Sequence, residues 1–303
     1  MWMMLPVLLA MWGLSGCNSC SHSGVDRAFD LPDSLKVGNV ATIDKGAVQE
    51  MVENIASPVE TASLIKRLGQ PFDKGLLIPP EAEDNFNTNF QKALGLGLFG
   101  TDLGYLNMYE KSSEVLTYIS AVKNLADGIQ VGQFFDFGSL KRLASNNENL
   151  DSLIFISQQS YNHIDTYLRE NNRASLSQVI VAGVWIEGMY LTARLAKQTK
   201  NAELEETVAD QKIVISKLIP MLRVYERDAS IKKLADRLDV IKDLYDQVKI
   251  TYVQGEPVSR VINGKLTFEQ KDKQIIDASP ELMGQIIDEL INLRTAMISS
   301  PVE

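Results

Sequence analysis

The sequence predicts an all-α protein: an irregular antiparallel bundle of long helices, with a small β-hairpin and one more helix at the C-terminal end. Three observations predict it. Apolar residues recur at spacings of three and four through most of the chain beyond residue 44. Residues 179–186, Val-Ile-Val-Ala-Gly-Val-Trp-Ile, carry no polar side chain, so their helix is apolar all round and belongs at the centre. Asn263-Gly264 stands between two short β-prone runs and marks a tight two-residue turn.

Residues 1–16 lie outside that fold. They form an apolar stretch closed by small residues, shorter than the ~20 residues a spanning helix needs, and they read as a secretion signal. Leu14-Ser15-Gly16-Cys17 resembles the lipobox of bacterial lipoproteins: Leu, two small residues, then Cys. The stretch departs from the usual signal in having no Lys or Arg ahead of its apolar core. The resemblance covers residues 1–17. It implies that Cys17 becomes the new N-terminus and is lipidated there, with the membrane a partner through that anchor. Asn18 and Ser19 follow, with no Asp after Cys17. That resembles outer-membrane sorting, so the expected place is the bacterial outer membrane, facing the periplasm.

The expected organisation is a signal peptide over 1–16, a lipidated flexible tether over 17–43, a helical domain over 44–250, and a β-hairpin with terminal helix over 251–303 packed on it. A helix is expected over 45–55. Ser57-Pro58-Val59-Glu60 has the form of a capped helix start, and Gly69 with Pro71 stops that helix. Residues 70–80, with three prolines, form a loop. From Glu81 to Asp127 a helical hairpin is expected, broken near Lys111-Ser112, and a short helix follows over 134–145. Long helices are expected over 148–170, 174–198, 202–225 and 229–250, with Pro220 kinking or splitting the third. The Val258–Glu269 hairpin would put Val261, Leu266 and Phe268 on one face, and the last helix covers about 280–298. Leu94–Asp127 is similar to a tetratricopeptide-type helix pair, yet the period of about 34 residues is missing.

Composition narrows the function. A formal net charge of −9, with no block of Lys or Arg, argues against nucleic acid as a partner and against a polybasic membrane patch. The two cysteines are Cys17 and Cys20, and the two histidines are His22 and His163. With Cys17 lipidated, neither a disulfide framework nor a Cys-based zinc site is expected, and no metal or other cofactor. The chain has no phosphate-binding loop, no nucleophile elbow and no metalloprotease motif, so no catalytic residue is assigned.

The most unusual internal stretch is 93–105, where Gly95, Gly97, Gly100 and Gly104 sit in a helical pattern at up to ~1 kcal/mol each. Close helix packing is the expected reason, through Gly97, Gly100 and Gly104 on one face. Asp102 lies in that apolar surround, and Glu187 occupies a similar setting beside Gly188 and Tyr190. If both helices face one core, Asp102, Tyr105, Trp185, Glu187 and Tyr190 are the candidate lining of a ligand pocket. The alternative is that each carboxylate is paired within the fold, Glu187 with Arg194 for example. His163 is expected at a surface or boundary, and 203–210 as a solvated acidic face.

In general look, residues 14–250 resemble the all-helical lipoproteins common in Bacteroidota, which implies no activity. The leading expectation is a non-catalytic helical module that binds a protein partner in the envelope. Binding of a small ligand near Asp102 and Glu187 is the alternative, with carboxylate-based catalysis behind it.

Overall fold

The long apolar helix is the hub of the fold. The computed structural model describes residues 58–138, 150–253, 255, 257–262, 265–270 and 273–299. The signal peptide, the tether, the helix expected over 45–55 and most of that expected over 134–145 lie outside the described residues. In order, the helices are α1 (Pro58–Arg67), α2 (Asn89–Met108), α3 (Ser112–Gly128), α4 (Leu150–Glu170), α5 (Ala174–Thr199), α6 (Ala202–Asp210), α7 (Lys212–Arg223), α8 (Ala229–Tyr245) and α9 (Pro280–Ser299). Four short strands stand between α8 and α9: β1 (Lys249–Val253), β2 (Pro257–Ile262), β3 (Lys265–Gln270) and β4 (Lys273–Asp277). The protein is thus all-α with a C-terminal hairpin. Helix α5 packs against α1, α2, α4, α6, α7 and α9. Its Val179, Ala182, Trp185, Ile186 and Ala193 are buried, each large apolar side chain giving about 1.5–3 kcal/mol on leaving water.

Local signals set the helix starts. The first arm of the hairpin begins at Asn89, not at Glu81, because Thr88 and Gln91 form a reciprocal cap. Thr88 Oγ1 accepts from Gln91 N at 3.1 Å, and Gln91 Oε1 accepts from Thr88 N at 2.9 Å. Residues 80–85 form only a 3-10 turn. Asn201 and Asp228 cap α6 and α8 in the same manner, each accepting two backbone N–H groups. Helix α1 stops where Gly69 takes a left-handed φ of +72°.

Two expected helices are corrected. Residues 202–225 hold two helices, and the break falls at Gln211, not at Pro220. Gln211 is buried, and its Oε1 accepts the Trp185 indole N–H at 3.0 Å, so the side chain is anchored while the backbone turns. Pro220 is exposed inside α7 and does not end it, since the helix runs on to Arg223. Helix α8 ends at Tyr245 instead of running to residue 250, because its hydroxyl is tied to Val208 O at 2.8 Å and Lys212 Nζ holds Val248 O at 2.6 Å.

The strands pair as two separate antiparallel ladders. Ladder β2–β3 pairs Val261 with Leu266 and Ser259 with Phe268, the register that the turn chemistry predicts. Ladder β1–β4 is the second, which the sequence reading left out. Three residues separate β1 from β2, against two between β3 and β4. On β1–β4, Ile250 and Ile276 face the core, while Val253 and Ile275 face outward.

Candidate functional site

The site is made where α2 and α5 touch backbone to backbone. A Cβ on Gly97 would lie 2.2 Å from Ile180 O, and one on Gly183 would lie 2.4 Å from Leu94 O. Only glycine allows this approach. Gly95 makes room for the Phe86 ring, whereas Gly100 faces open space and takes no part in the expected contact. Gly183, in the apolar run, is the partner that a reading confined to 93–105 misses. The contact sets Asp102 and Glu187, each about one turn further along its helix, against each other at the centre.

Both carboxylates are fully buried. Glu187 is held by Arg294 of α9 rather than by Arg194. Arg294 Nε lies 2.9 Å from Oε2 and Nη2 lies 2.9 Å from Oε1, a two-pronged pair. Arg294 Nη2 also donates to Leu76 O at 3.1 Å, and its guanidinium lies over the Tyr190 ring at 4.0 Å. Asp102 Oδ2 accepts from Ile78 N at 2.8 Å, but Oδ1 meets no donor. Tyr118 of α3 closes the wall by donating to Ile78 O at 2.5 Å.

Two carboxylates thus share one guanidinium. Burial, then the neighbouring Glu187 charge, raises the pKa of Asp102 well above the usual carboxylate range; Arg294 and the Ile78 N–H pull less strongly the other way. Burial also raises Glu187, against the opposing pull of Arg294. Arg294 itself stays charged.

Of the five candidate lining residues, Asp102, Glu187 and Tyr190 come together around Arg294. The other two point to separate partners. Tyr105 OH accepts from Asp73 N at 3.2 Å within a cluster with Phe72 and Tyr109. Trp185 turns to Gln211. Arg294 was missed, though a signal existed: it is the sole basic residue of α9 and stands four residues after the buried Leu290. A separate cleft of about 270 Å³ lies between the 132–136 turn and α4, lined by Phe134, Phe135, Ser160 and His163 among others. His163 is exposed there, beside the Phe134 ring.

Among the described residues, no group of three or more His, Cys, Asp or Glu side chains is placed to hold a metal ion. In comparisons with protein-family models, curated proteins and solved structures, nothing matches the chain.

Proposed function

We propose that the chain is a lipoprotein anchored through Cys17 in the bacterial outer membrane, facing the periplasm, whose helical domain binds a protein partner in the envelope. The observation that carries this reading is Leu14-Ser15-Gly16-Cys17 at the end of a short apolar run. Among the described residues, Ala174–Thr199 is the one helix long and apolar enough to cross a membrane, and it is 89% buried inside the fold. It serves as core, which leaves attachment to Cys17, where two or three acyl chains give a stable anchor. Binding is favoured over catalysis because Glu187 is committed to Arg294 and neither buried carboxylate reaches solvent. An apolar pair open to a partner stands on the outer side of β1–β4, where Val253 and Ile275 are 47% and 44% exposed and lie diagonally across the ladder.

A photoreactive residue in place of Ile275, used in living cells, tests the reading. A single envelope protein captured with the wild-type anchor and lost in Cys17→Ala supports it. No captured protein, or capture indifferent to Cys17→Ala, overturns it. Mass spectrometry of the purified chain checks the anchor separately: the lipid mass is expected on the wild type and absent from Cys17→Ala.

The second reading, a small-ligand binder, draws on the cleft beside Phe134 and His163 rather than on the closed Asp102–Glu187 centre. A co-purifying small molecule, seen by native mass spectrometry and lost in Phe134→Ala, is its expected sign.

A further inference from the structure

The buried centre holds an odd number of charges. Were Asp102 and Glu187 both ionised, one guanidinium would face two fully buried carboxylates, and the surplus charge would be left without solvation or a partner. The hydrogen bonds show where the imbalance falls. Glu187 receives the Arg294 fork on both oxygens, as an ionised carboxylate does. Asp102 uses Oδ2 for Ile78 N, its Oδ1 is fully buried with no donor of its own, and Glu187 is the neighbouring carboxyl. A proton on Oδ1 resolves both problems, because it removes the surplus charge and turns the orphan oxygen into a donor.

We infer that Asp102 keeps its proton in the folded protein and donates it from Oδ1 to Glu187, making a proton-dependent clasp that holds the C-terminal helix on the helical body. The clasp ties four parts of the chain. Asp102 comes from α2, Ile78 and Leu76 from the loop before it, Glu187 from α5 and Arg294 from α9. The titratable groups that face it are Tyr118 on α3 and Tyr190 on α5; Tyr105 on α2, turned to Asp73, feels the Asp102 charge only weakly, and Glu81, at the 80–85 turn, acts on Tyr118 from further out. Burial raises Tyr105 and Tyr118, which leaves the carboxyl pair as the group that changes charge first.

The sign of the pH dependence follows. In an opened chain Asp102 ionises near its ordinary value, about 3.9. In the closed centre it holds the proton to a much higher pH. Between those two values, opening of α9 releases one proton. The clasp is therefore whole below the ordinary value, weakens as pH rises, and is lost once pH passes the folded value.

Hydrogen exchange on the full-length chain in detergent tests this. After correction for intrinsic exchange, the opening constant of amides in 286–297 is expected to rise about tenfold per pH unit between the opened-chain and the folded value of Asp102. In Asp102→Asn it is expected to be flat: the amide donates to Glu187 and accepts from Ile78 N with no proton to lose. Asp165→Asn, in a different buried pair, is expected to keep the wild-type slope. A flat wild type, or an equal slope in Asp102→Asn, overturns the inference. Infrared spectroscopy gives a second readout should Asp102→Asn fail to fold. The wild type is expected to show the carbonyl stretch of a buried protonated carboxyl at a pH well above the ordinary carboxyl range and to lose it on alkaline titration; absence of that band above the ordinary range overturns the inference.

Discussion

Among the described residues, two guanidinium–carboxylate pairs with a buried carboxylate are built on opposite plans. At the centre, Arg294 reaches Glu187 from 107 residues away, with Asp102 as an extra carboxyl. Near the end of α4, Arg169 reaches Asp165 within its own helix, Nε to Oδ2 at 2.7 Å, and Ser177 Oγ donates to Asp165 Oδ1 at 2.7 Å. In the first pair Glu187 is fully buried and the Arg294 side chain keeps 9% exposure; in the second, Asp165 keeps 4% and the Arg169 side chain 17%. A local pair one turn apart forms wherever its helix forms. The central pair exists only when α2, α5 and α9 have all docked, so it reports on the tertiary structure.

The largest expected effect separates the two plans. Arg294→Met leaves Glu187 buried beside Asp102 with no countercharge, a loss of about 3–5 kcal/mol. Denaturant unfolding is the measurement, and α9 is expected to lose exchange protection first. An effect under about 1 kcal/mol would sink the idea that the central pair matters to folding.

A smaller effect tests what brings the central pair together. Gly97→Ala would press a methyl into the Ile180 carbonyl, with no flexible side chain to yield, and is expected to cost about 1–3 kcal/mol or more. Gly100→Ala, one turn away in open space, is expected to stabilise by up to ~1 kcal/mol from helix propensity. Opposite signs in thermal unfolding would tie the central site to helix approach; equal signs would remove that link.

The same contrast explains what the sequence shows of itself. Helices α1, α5 and α9 are legible because caps, glycine stops and apolar stripes are local. So is the Asn263-Gly264 hairpin, whose register follows from its turn. The meeting of Asp102 and Glu187 is half legible, since each stands in a helix with small and apolar neighbours. The pairing with Arg294 is not, because its one signal lies in α9 and nothing near residue 187 points to a partner 107 residues on, whereas Arg194 stands on the same helix. The break at Gln211 escaped for the same reason: a long-range bond to Trp185 sets it, while Pro220 gives the stronger local signal. Strands β1 and β4 were missed because Val248 continues the apolar spacing of α8 past its true end at Tyr245.

The smallest effect bears on the peripheral pair. Arg169→Gln removes a charged donor to Asp165, but Ser177 still supplies Oδ1, and the partly exposed edge of α4 lets water approach. The expected cost is about 1 kcal/mol, the ordinary net value of one hydrogen bond. Double-mutant cycles make the comparison quantitative: the coupling of Arg169 with Asp165 is expected near or below about 1 kcal/mol, and that of Arg294 with Glu187 at several times this. Equal couplings would mean that burial and distance along the chain make no difference here. A larger central coupling means that the fold holds its last helix in place by charge as well as by apolar packing, and that the two carboxyls facing Arg294 are where a change of protonation would be felt.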